Sequence, residues 1–183
     1  MLAHNFSLKR GNCNLRPVTE ADEDQIIELW NADHVVGSLY MSKTTHAAYR
    51  RFFDSYCGDP NEWRWVIQTN DGEFVGTIRI YCRDGQYTLS QFALWPTKSF
   101  LAVVPCILAI DFAFENFCSD TINIDLPVHN TRIQKLHKIL GAHDTGGRRT
   151  FVASNGQTVT QEQWVYKRDE WNRNRSFIES LCS

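Results

Sequence analysis

The amino-acid sequence predicts one α/β domain, in which a mixed and mostly antiparallel sheet is flanked by helices. Three observations support this fold class. Segments with the apolar alternation of strands are interspersed along the chain with segments of helical periodicity. Asx-Gly pairs at Asp71-Gly72 and Asn155-Gly156 mark tight turns between β-rich runs. The apolar run from Phe100 to Ile110 is shorter than the ~20 residues of a membrane span, so it predicts a buried helix.

The first predicted elements are a short strand and two helices. The strand ends at Arg16, and the helix after it begins near Thr19, because Thr19 and Asp22 have the spacing of a capping box. A loop holding Gly37 is expected next. A second helix is predicted over about residues 44–56, where aromatic residues supply an apolar face.

Three strands and the apolar helix follow. The segment EWRWVIQTNDGEFVGTIRIYC predicts a hairpin over residues 62–82, and DGQYTLSQFALW predicts a third strand after a second Asp-Gly turn. The chain then breaks at residues 95–99, WPTKS, before the apolar helix, which is expected to end near Asn116.

The last third of the chain predicts a strand, a helix and a hairpin. Apolar residues alternate in TINIDLP, which is typical of a half-buried strand. The next helix has Asn130 as its N-cap and Gly141 just beyond its C-terminus. Residues 149–171 predict a final hairpin around Asn155-Gly156. The element order is therefore β-α-α-β-β-β-α-β-α-β-β, which favours one mixed α/β domain over residues 1–183.

Composition and charge are those of an ordinary globular protein. Hydrophobic residues make up 43% of the 183 positions and charged residues 22%. The formal net charge is -2, and the Lys and Arg residues are scattered along the chain. We therefore expect no nucleic-acid partner.

Cysteine and histidine spacing predicts neither a disulfide framework nor a metal site. The histidines lack an i, i+4 or HxH pattern, and the six cysteines include no CxxC pair: Cys13, Cys57, Cys82, Cys106, Cys118 and Cys182. The N-terminal segment MLAHNFSLKRGN is polar and lacks the apolar run of a signal peptide. We expect a cytoplasmic protein with no membrane anchor.

Four segments stand in a characteristic order and spacing: LRPVTEAD, EFVGTIRI, INIDLPVHNTRIQKLHKILGA and NGQTVTQEQWVYKRDEW. In the third, a Gly follows the Asn after eleven residues. Together they resemble the GNAT superfamily of acyl-CoA-dependent N-acyltransferases, over about residues 13–171. The last segment is similar to the closing hairpin of the ribosomal-protein and amino-sugar branches. LWN, LYMSKTTHAAYRRFF, WRWVIQ and KLHKILGA resemble acetyltransferases of nucleotide-linked amino sugars, of the pseudaminic-acid pathway type.

The resemblance implies a GNAT-like fold and transfer of an acetyl group from acetyl-CoA to a primary amine, without a metal. The implied acceptor is a small molecule, an amino sugar that is free or nucleotide-linked, and a homodimer is compatible with the family. Acetylation of a protein N-terminus or a polyamine is an alternative, although a polyamine site should show clustered carboxylates. The only such group lies on a helix face that we expect to be solvated: Asp22, Glu23, Asp24 and Glu28. A second alternative is a GNAT-shaped binding module that no longer holds coenzyme A.

The second alternative arises from the segment after the third strand. By resemblance, backbone N–H groups near residues 99–104 would hold the pyrophosphate of coenzyme A, yet no glycine occurs between Gly85 and Gly141. Amides in a helical conformation need no glycine, and Pro105 suits an early helical turn. The segment therefore either still binds the pyrophosphate of coenzyme A or no longer binds it. The residues implied for cofactor binding are Leu94, Lys98, Ser99, Phe100, Leu101, Ala102, Val103 and Asn130.

His137 is the candidate catalytic residue. It follows Asn130 by seven residues, where many family members place a Tyr that protonates the departing thiolate. An imidazolium with the reference pKa near 6.5 could do this. Ile133 and Leu140 share its helical face, so a packed core histidine is the alternative. No general base is identifiable. Four residues could orient a proton-accepting water: Glu62, Ser90, Gln91 and His129.

The acceptor is expected between the first two helices and the central strands. Aromatic and Met side chains there could stack on a sugar or nucleotide, and Trp30 has a core role as its alternative. The implied residues are Trp30, His34, Tyr40, Met41 and His46.

Overall fold

A short strand pair begins the sheet in the computed structural model, which describes residues 4–181. Strand β1 (Leu8–Arg10) pairs antiparallel with β2 (Cys13–Pro17), and Gly11 supplies the left-handed turn conformation between them, with φ of 55°. The sequence pattern predicts β2 but not β1.

Three helices follow β2: α1 (Glu23–Asn31), α2 (Asp33–Leu39) and α3 (His46–Cys57). The predicted capping box is confirmed, because the Thr19 backbone N–H donates to Asp22 Oδ2 at 2.8 Å. Gly37, however, lies inside α2, so the predicted loop is wrong. The helix is held because Val35 packs into the core at 3% exposure. Tertiary packing here overrides the weak helix propensity of glycine.

The centre of the sheet is an antiparallel meander of β3 (Glu62–Gln68), β4 (Phe74–Arg83) and β5 (Gln86–Leu94), as predicted. The break at residues 95–99 becomes a 3₁₀ helix over Pro96–Leu101, and it leads directly into the apolar helix α4 (Val103–Asn116). Strand β6 (Thr121–Pro127) and helix α5 (Thr131–Ile139) confirm the next two predictions.

The chain ends with a hairpin and two helices: β7 (His143–Val152), β8 (Thr158–Lys167), α6 (Arg168–Arg173) and α7 (Arg175–Ser180). The predicted hairpin thus ends four residues early, at Lys167. The chain turns into a helix there because Trp171 is buried against α4, where its indole Nε1 donates to Asp111 Oδ1 at 2.8 Å.

The described residues form one eight-stranded sheet in the order β1-β2-β3-β4-β5-β6-β8-β7. Every neighbouring pair is antiparallel except β5 and β6. The predicted mixed, mostly antiparallel sheet is confirmed.

Each face of the sheet carries its own hydrophobic core. Helices α4 and α5 pack on one face, against residues that include Ile124 and Tyr166. Helices α1 and α3 pack on the other face, against residues that include Val66 and Ala93. These two layers determine which side chains can enter the site described below.

The five cysteines within residues 4–181 form no disulfide, and Cys182 lies outside the described residues. In the same part of the chain, no His, Cys, Asp and Glu side chains group in a way that could hold a metal ion. Among the helices of residues 4–181, none combines the length and the apolar character that crossing a bilayer requires.

Candidate active site

A cleft opens where strands β5 and β6 separate. Their parallel pairing consists of two residue pairs, Thr88 with Asn123 and Leu89 with Ile124. Beyond these pairs the strands enclose a cleft of about 890 Å³, within the usual range of ~300–1,000 Å³ for ligand sites. The facing edges of separated strands present backbone N–H and C=O groups to the cleft. The arrangement can therefore bind an extended polar ligand between the strands.

The 3₁₀ helix after β5 forms one end of this cleft. Pro96, Ser99 and Ala102 line the cleft, and their spacing of three matches the 3₁₀ repeat. Leu94, Val103 and Asn130, which the resemblance also implies for cofactor binding, line it as well.

Three of the predicted cofactor residues lie on other faces of the 3₁₀ helix. Lys98 Nζ pairs with Glu73 Oε2 at 2.7 Å, Phe100 is 74% exposed, and Leu101 packs against the core. The structure therefore does not place Lys98, Phe100 or Leu101 in the lining of the cleft.

The absence of glycine from this segment has a structural explanation. Ala102 has ordinary right-handed helical angles, with φ of -59° and ψ of -30°, so the turn into α4 requires no glycine. The side chains facing the cleft here, on Ser99 and Ala102, are small. The amides of the first turn of an α-helix have no partner within that helix, and Val103 and Val104 carry such amides in α4. Pro105 carries none, so it removes one donor from this turn.

Two cations on α5 line the same cleft. Arg132 and Lys135 lie in the first two turns of the helix, and the sequence analysis assigned them no role. Their charges within NTRIQK, directly after the predicted cap, were the available signal. Both can approach an anionic ligand. Asn130 caps this helix as predicted, since its side chain accepts from the Ile133 N–H at 3.3 Å.

His137 lies at the inner wall of the cleft, 1% exposed. Its Nδ1 is 2.6 Å from the Tyr166 hydroxyl. Burial lowers the pKa of His137 to about 3 and raises the pKa of Tyr166 well above its ordinary value. At neutral pH the imidazole is therefore neutral and the phenol keeps its proton. The imidazolium that the reference pKa suggested is not the resting form.

The pair with Tyr166 also determines what His137 can do. A phenol donates readily to a neutral imidazole, which leaves the second ring nitrogen, Nε2, carrying the hydrogen. Among the described residues, Nε2 is buried without a hydrogen-bond partner. A buried polar group of this kind requires an explanation, and no described residue supplies one.

On the acceptor side, His34, Tyr40 and Met41 line the cleft as predicted. A ring nitrogen of His34, Nε2, lies 3.0 Å from the Leu94 carbonyl on β5 and donates to it. The Tyr40 hydroxyl is 3.3 Å from His129 Nδ1. These contacts connect α2 to both walls of the cleft.

Trp30 and His46 do not line the cleft, in contrast to the prediction. Trp30 is 6% exposed, and its indole Nε1 donates to Thr77 Oγ1 at 3.3 Å beneath α3, as its alternative core role implies. His46 begins α3 on its outer side, where Nδ1 lies 2.8 Å from Glu23 Oε1.

Asp125 is a cleft residue that the sequence analysis missed. It is the first residue of β6 beyond the pairing with β5, and it points away from the face of Ile124 and Leu126. Burial raises the pKa of its carboxyl, and the charge of Arg149 opposes part of that shift. The alternation that identified the strand made Asp125 look like an ordinary solvent-facing position.

The strand on the opposite side of the cleft carries a bulge. Thr77 pairs with Ala93 and Arg79 with Ser90, so Gln91 and Phe92 together oppose one residue of β4. Gln91 has a φ of 45°, a left-handed conformation that costs on the order of 1–3 kcal/mol for a non-glycine residue.

The four candidate orienters are divided by the structure. Ser90 and Gln91 line the cleft. Glu62 is buried in ion pairs with Arg64 and Arg79, and His129 contacts Tyr40.

Comparisons with known proteins agree with this architecture. Residues 12–143 match the family model of the acetyltransferase (GNAT) domain. No curated protein matches the chain in sequence.

Solved structures share the fold at low identity. Spermidine N-acetyltransferase from Vibrio cholerae, in complex with CoA and spermine, has a TM-score of 0.79 at 15% identity, covering 89% of this chain and 99% of that one. Apo FdhC, a nucleotide-linked sugar GNAT, has a TM-score of 0.75 at 20% identity, covering 98% and 100%. Mycobacterium smegmatis RimJ, in complex with CoA-disulfide, has a TM-score of 0.79 at 15% identity, covering 96% of each chain.

Proposed function

Because the chain belongs to the acetyltransferase (GNAT) family and is an acyltransferase of that type, we propose that it moves an acetyl group from acetyl-CoA to an amino sugar. The acetylated group is the primary amine, and the preferred acceptor is nucleotide-linked. Attack by the bound amine on the thioester is direct. Both substrates are held in the cleft between β5 and β6, and their proximity supplies much of the rate enhancement.

The observation that carries the acceptor class is the charge of the cleft. Asp125 is the only carboxylate among the described residues that line it, and Arg132 and Lys135 line it too. A polyamine carries several ammonium groups and would require several carboxylates. One amine on an otherwise neutral or anionic molecule requires one. Tyr40 and Met41 offer the apolar and aromatic surface on which a sugar ring packs.

Acetyl-CoA fits the wall formed by α4 and α5. The cations Arg132 and Lys135 attract its phosphates, assisted by the amides at the start of α4. The pantetheine arm lies between the separated strands, where it can bond to their free backbone groups. N–H groups on the open edge of β5 polarise the thioester carbonyl and stabilise the negative charge that develops on its oxygen.

The proton steps are divided between the two sides of the sheet. Asp125 points to the face of α1 and α3 and takes a proton from the acceptor ammonium, which leaves a neutral amine. The amine nitrogen attacks the carbonyl carbon, and the carbon–sulfur bond breaks. His137 donates a hydrogen bond from Nε2–H to the departing sulfur, from the face of α4 and α5. The second proton of the amine nitrogen goes to the thiolate, which gives the thiol of coenzyme A and the amide.

An acceptor screen tests this function. The purified protein is incubated with acetyl-CoA and, separately, with a free amino sugar, a uridine-diphosphate-linked amino sugar, spermidine and a peptide with a free N-terminus. Release of the coenzyme A thiol is followed. We expect the highest kcat/KM for an amino sugar. A preference for spermidine or for the peptide would contradict the proposed acceptor class.

Two variants assign the acceptor to the cleft. Tyr40→Ala should raise the acceptor KM about tenfold, since it removes a ring from the lining. His46→Ala is the matched control and should leave the kinetics unchanged, because His46 pairs with Glu23 on the outside of α3. Calorimetric titration with acetyl-CoA provides the remaining test, and a failure to bind would favour a GNAT-shaped binding module.

A further inference from the structure

The bulge in β5 lies where this strand faces the cleft. The side chain of the bulge residue Gln91 is held by a hydrogen bond from a buried arginine. Gln91 accepts a hydrogen bond through Oε1 from Nη1 of Arg64, which lies two strands away on β3. Arg64 pairs in register with Arg79 of β4, and Arg79 with Ser90 of β5. The side chains of Arg64, Arg79 and Ser90 therefore lie on one face of the sheet, the face covered by α1 and α3.

Arg64 is itself held from several directions. Glu62 forms an ion pair with its Nε, and both side chains are 7% exposed. The ring centroid of Phe52 on α3 lies 4.3 Å from the guanidinium carbon. Glu62 is held in turn by Arg79 at 3.2 Å. The space left beside the guanidinium is a cavity of about 10 Å³, no larger than one water molecule requires. The guanidinium therefore has little freedom to move.

Gln91 needs such an anchor because of its backbone conformation. A bulge residue with positive φ is normally glycine, and a longer side chain keeps that conformation only when its surroundings hold it. Gly76 on β4 allows the neighbouring part of the bulge to approach, since a Cβ there would lie 2.1 Å from the Ala93 carbonyl oxygen. The bulge is thus supported by a missing side chain on β4 and by an anchored one on β5.

We propose that Arg64 is a positioning residue for acyl transfer: through its bond to Gln91, it holds the bulge of β5 so that the open edge of this strand faces the thioester carbonyl. Arg64 donates hydrogen bonds to both Glu62 and Gln91, and these contacts connect the α3 side of the sheet to the cleft. Arg64 touches neither substrate, and its effect reaches the reaction through the backbone of β5. The inference rests on the proposed function, because the carbonyl is the group that the bulge serves.

A double-mutant cycle tests this role. Arg64→Lys keeps the charge that balances Glu62 but loses the fork that reaches Gln91. Gln91→Gly removes the anchored side chain and tolerates the positive φ. We expect Arg64→Lys to lower kcat by about 10–100-fold, with the KM for acetyl-CoA within about threefold, since the lost stabilisation belongs to the transition state. In the Gln91→Gly background, the same substitution should lower kcat by less than about twofold.

Arg50→Lys is the matched control. Arg50 is another arginine on the α3 side with a carboxylate partner, Glu23, but its side chain is 71% exposed and has no contact with β5 among those described. This variant should leave kcat unchanged. An equal loss of kcat on Arg64→Lys in both backgrounds would overturn the proposal, because Arg64 would then act on the fold and not on the bulge.

A readout without turnover separates this proposal from the proposed function. Amide chemical shifts of Gln91 and Phe92 are compared between the wild-type protein and Arg64→Lys, and we expect both to move while amides of β8 do not. Unmoved bulge amides would overturn the positioning role even in an active enzyme. A wild-type protein that acetylates no amine would overturn the proposed function, and the amide shifts would still decide whether Arg64 holds the bulge.

Discussion

The imidazole of His137 and the hydroxyl of Tyr166 form a buried pair, 2.6 Å apart, between α5 and β8. The pair determines which ring nitrogen is left without a partner among the described residues, because Nδ1 is engaged by the phenol and Nε2 is not. The imidazole is also buried, so it is neutral at pH 7. A tyrosine in the same position would instead offer a hydroxyl.

The buried pair predicts how stability depends on pH. The pKa of His137 is lowered from 6.5 in the unfolded chain to about 3 in the folded one, because burial penalises the charged form. The stabilisation is therefore complete above pH 6.5 and is lost as the pH falls toward 3, by at most about 1.4 kcal/mol per pH unit. His4, whose pKa burial lowers to about 4, contributes with the same sign.

Urea unfolding between pH 7 and pH 4 measures this effect. His137→Leu removes the titrating group, and the difference in unfolding free energy between wild type and variant should shrink as the pH falls. Parallel curves for the two proteins would contradict the burial of a neutral imidazole.

Asp125→Asn should lower kcat by about 10²–10⁴-fold, the usual contribution of a general base. Acetyl-CoA affinity should stay within about twofold, because the carboxylate faces the acceptor. Burial raises the pKa of Asp125, so the acidic decline in kcat/KM should begin at a higher pH than an ordinary aspartate would give, and the variant should lose that decline. Steady-state kinetics over a pH series provides the measurement. Asp120→Asn is the control, since that side chain is fully exposed just before β6.

Arg132→Ala and Lys135→Ala should each weaken acetyl-CoA binding by about tenfold at low salt, and less at high salt, since exposed charges are screened. Lys98→Ala should change it by less than about twofold, because Lys98 Nζ is paired with Glu73 outside the cleft. Calorimetric titrations at two ionic strengths distinguish these cases. Repeating them with 3′-dephospho-CoA shows which phosphate each cation contacts. A strong effect of Lys98→Ala on acetyl-CoA binding would contradict this assignment and would indicate that the phosphates bind at the 3₁₀ helix.

Periodicity was sufficient to predict the central strands, α1, α3 and α5, because each buries a regular apolar face. Helix α4 was predicted instead from its continuous apolar run, which is buried from Pro105 to Phe114. It failed where tertiary contacts decided the local structure. Helix α2 forms around Gly37 because Val35 reaches the core, and α6 forms because Trp171 finds Asp111 on a helix sixty residues earlier in the chain.

The site was predicted less completely than the fold, for the same reason. The 3₁₀ repeat sends Ser99 and Ala102 to the cleft and Lys98 away from it, and this phase is not visible in a segment expected to be a loop. Trp30 lies on the inner side of α1. The sequence pattern did not distinguish an aromatic residue on that side from an aromatic residue that lines the cleft. Asp125 required knowledge of where β5 and β6 part, which only the paired structure supplies.

The separation of β5 and β6 has a consequence for the order of biosynthesis. Strand β5, which forms one wall of the cleft, ends at Leu94, whereas β6 begins at Thr121. Strand β8, the other neighbour of β6 in the sheet, ends at Lys167. A nascent chain therefore carries the open edge of β5 before any strand exists to cover it, which is the kind of edge that invites pairing with another chain. Because the native ladder later covers Thr88 and Leu89 and ends there, the edge beyond Leu89 faces the cleft. The part of the β5 edge beyond Leu89 is thus open during synthesis, because β6 comes later in the chain, and it stays open in the folded protein, because the ladder with β6 is short.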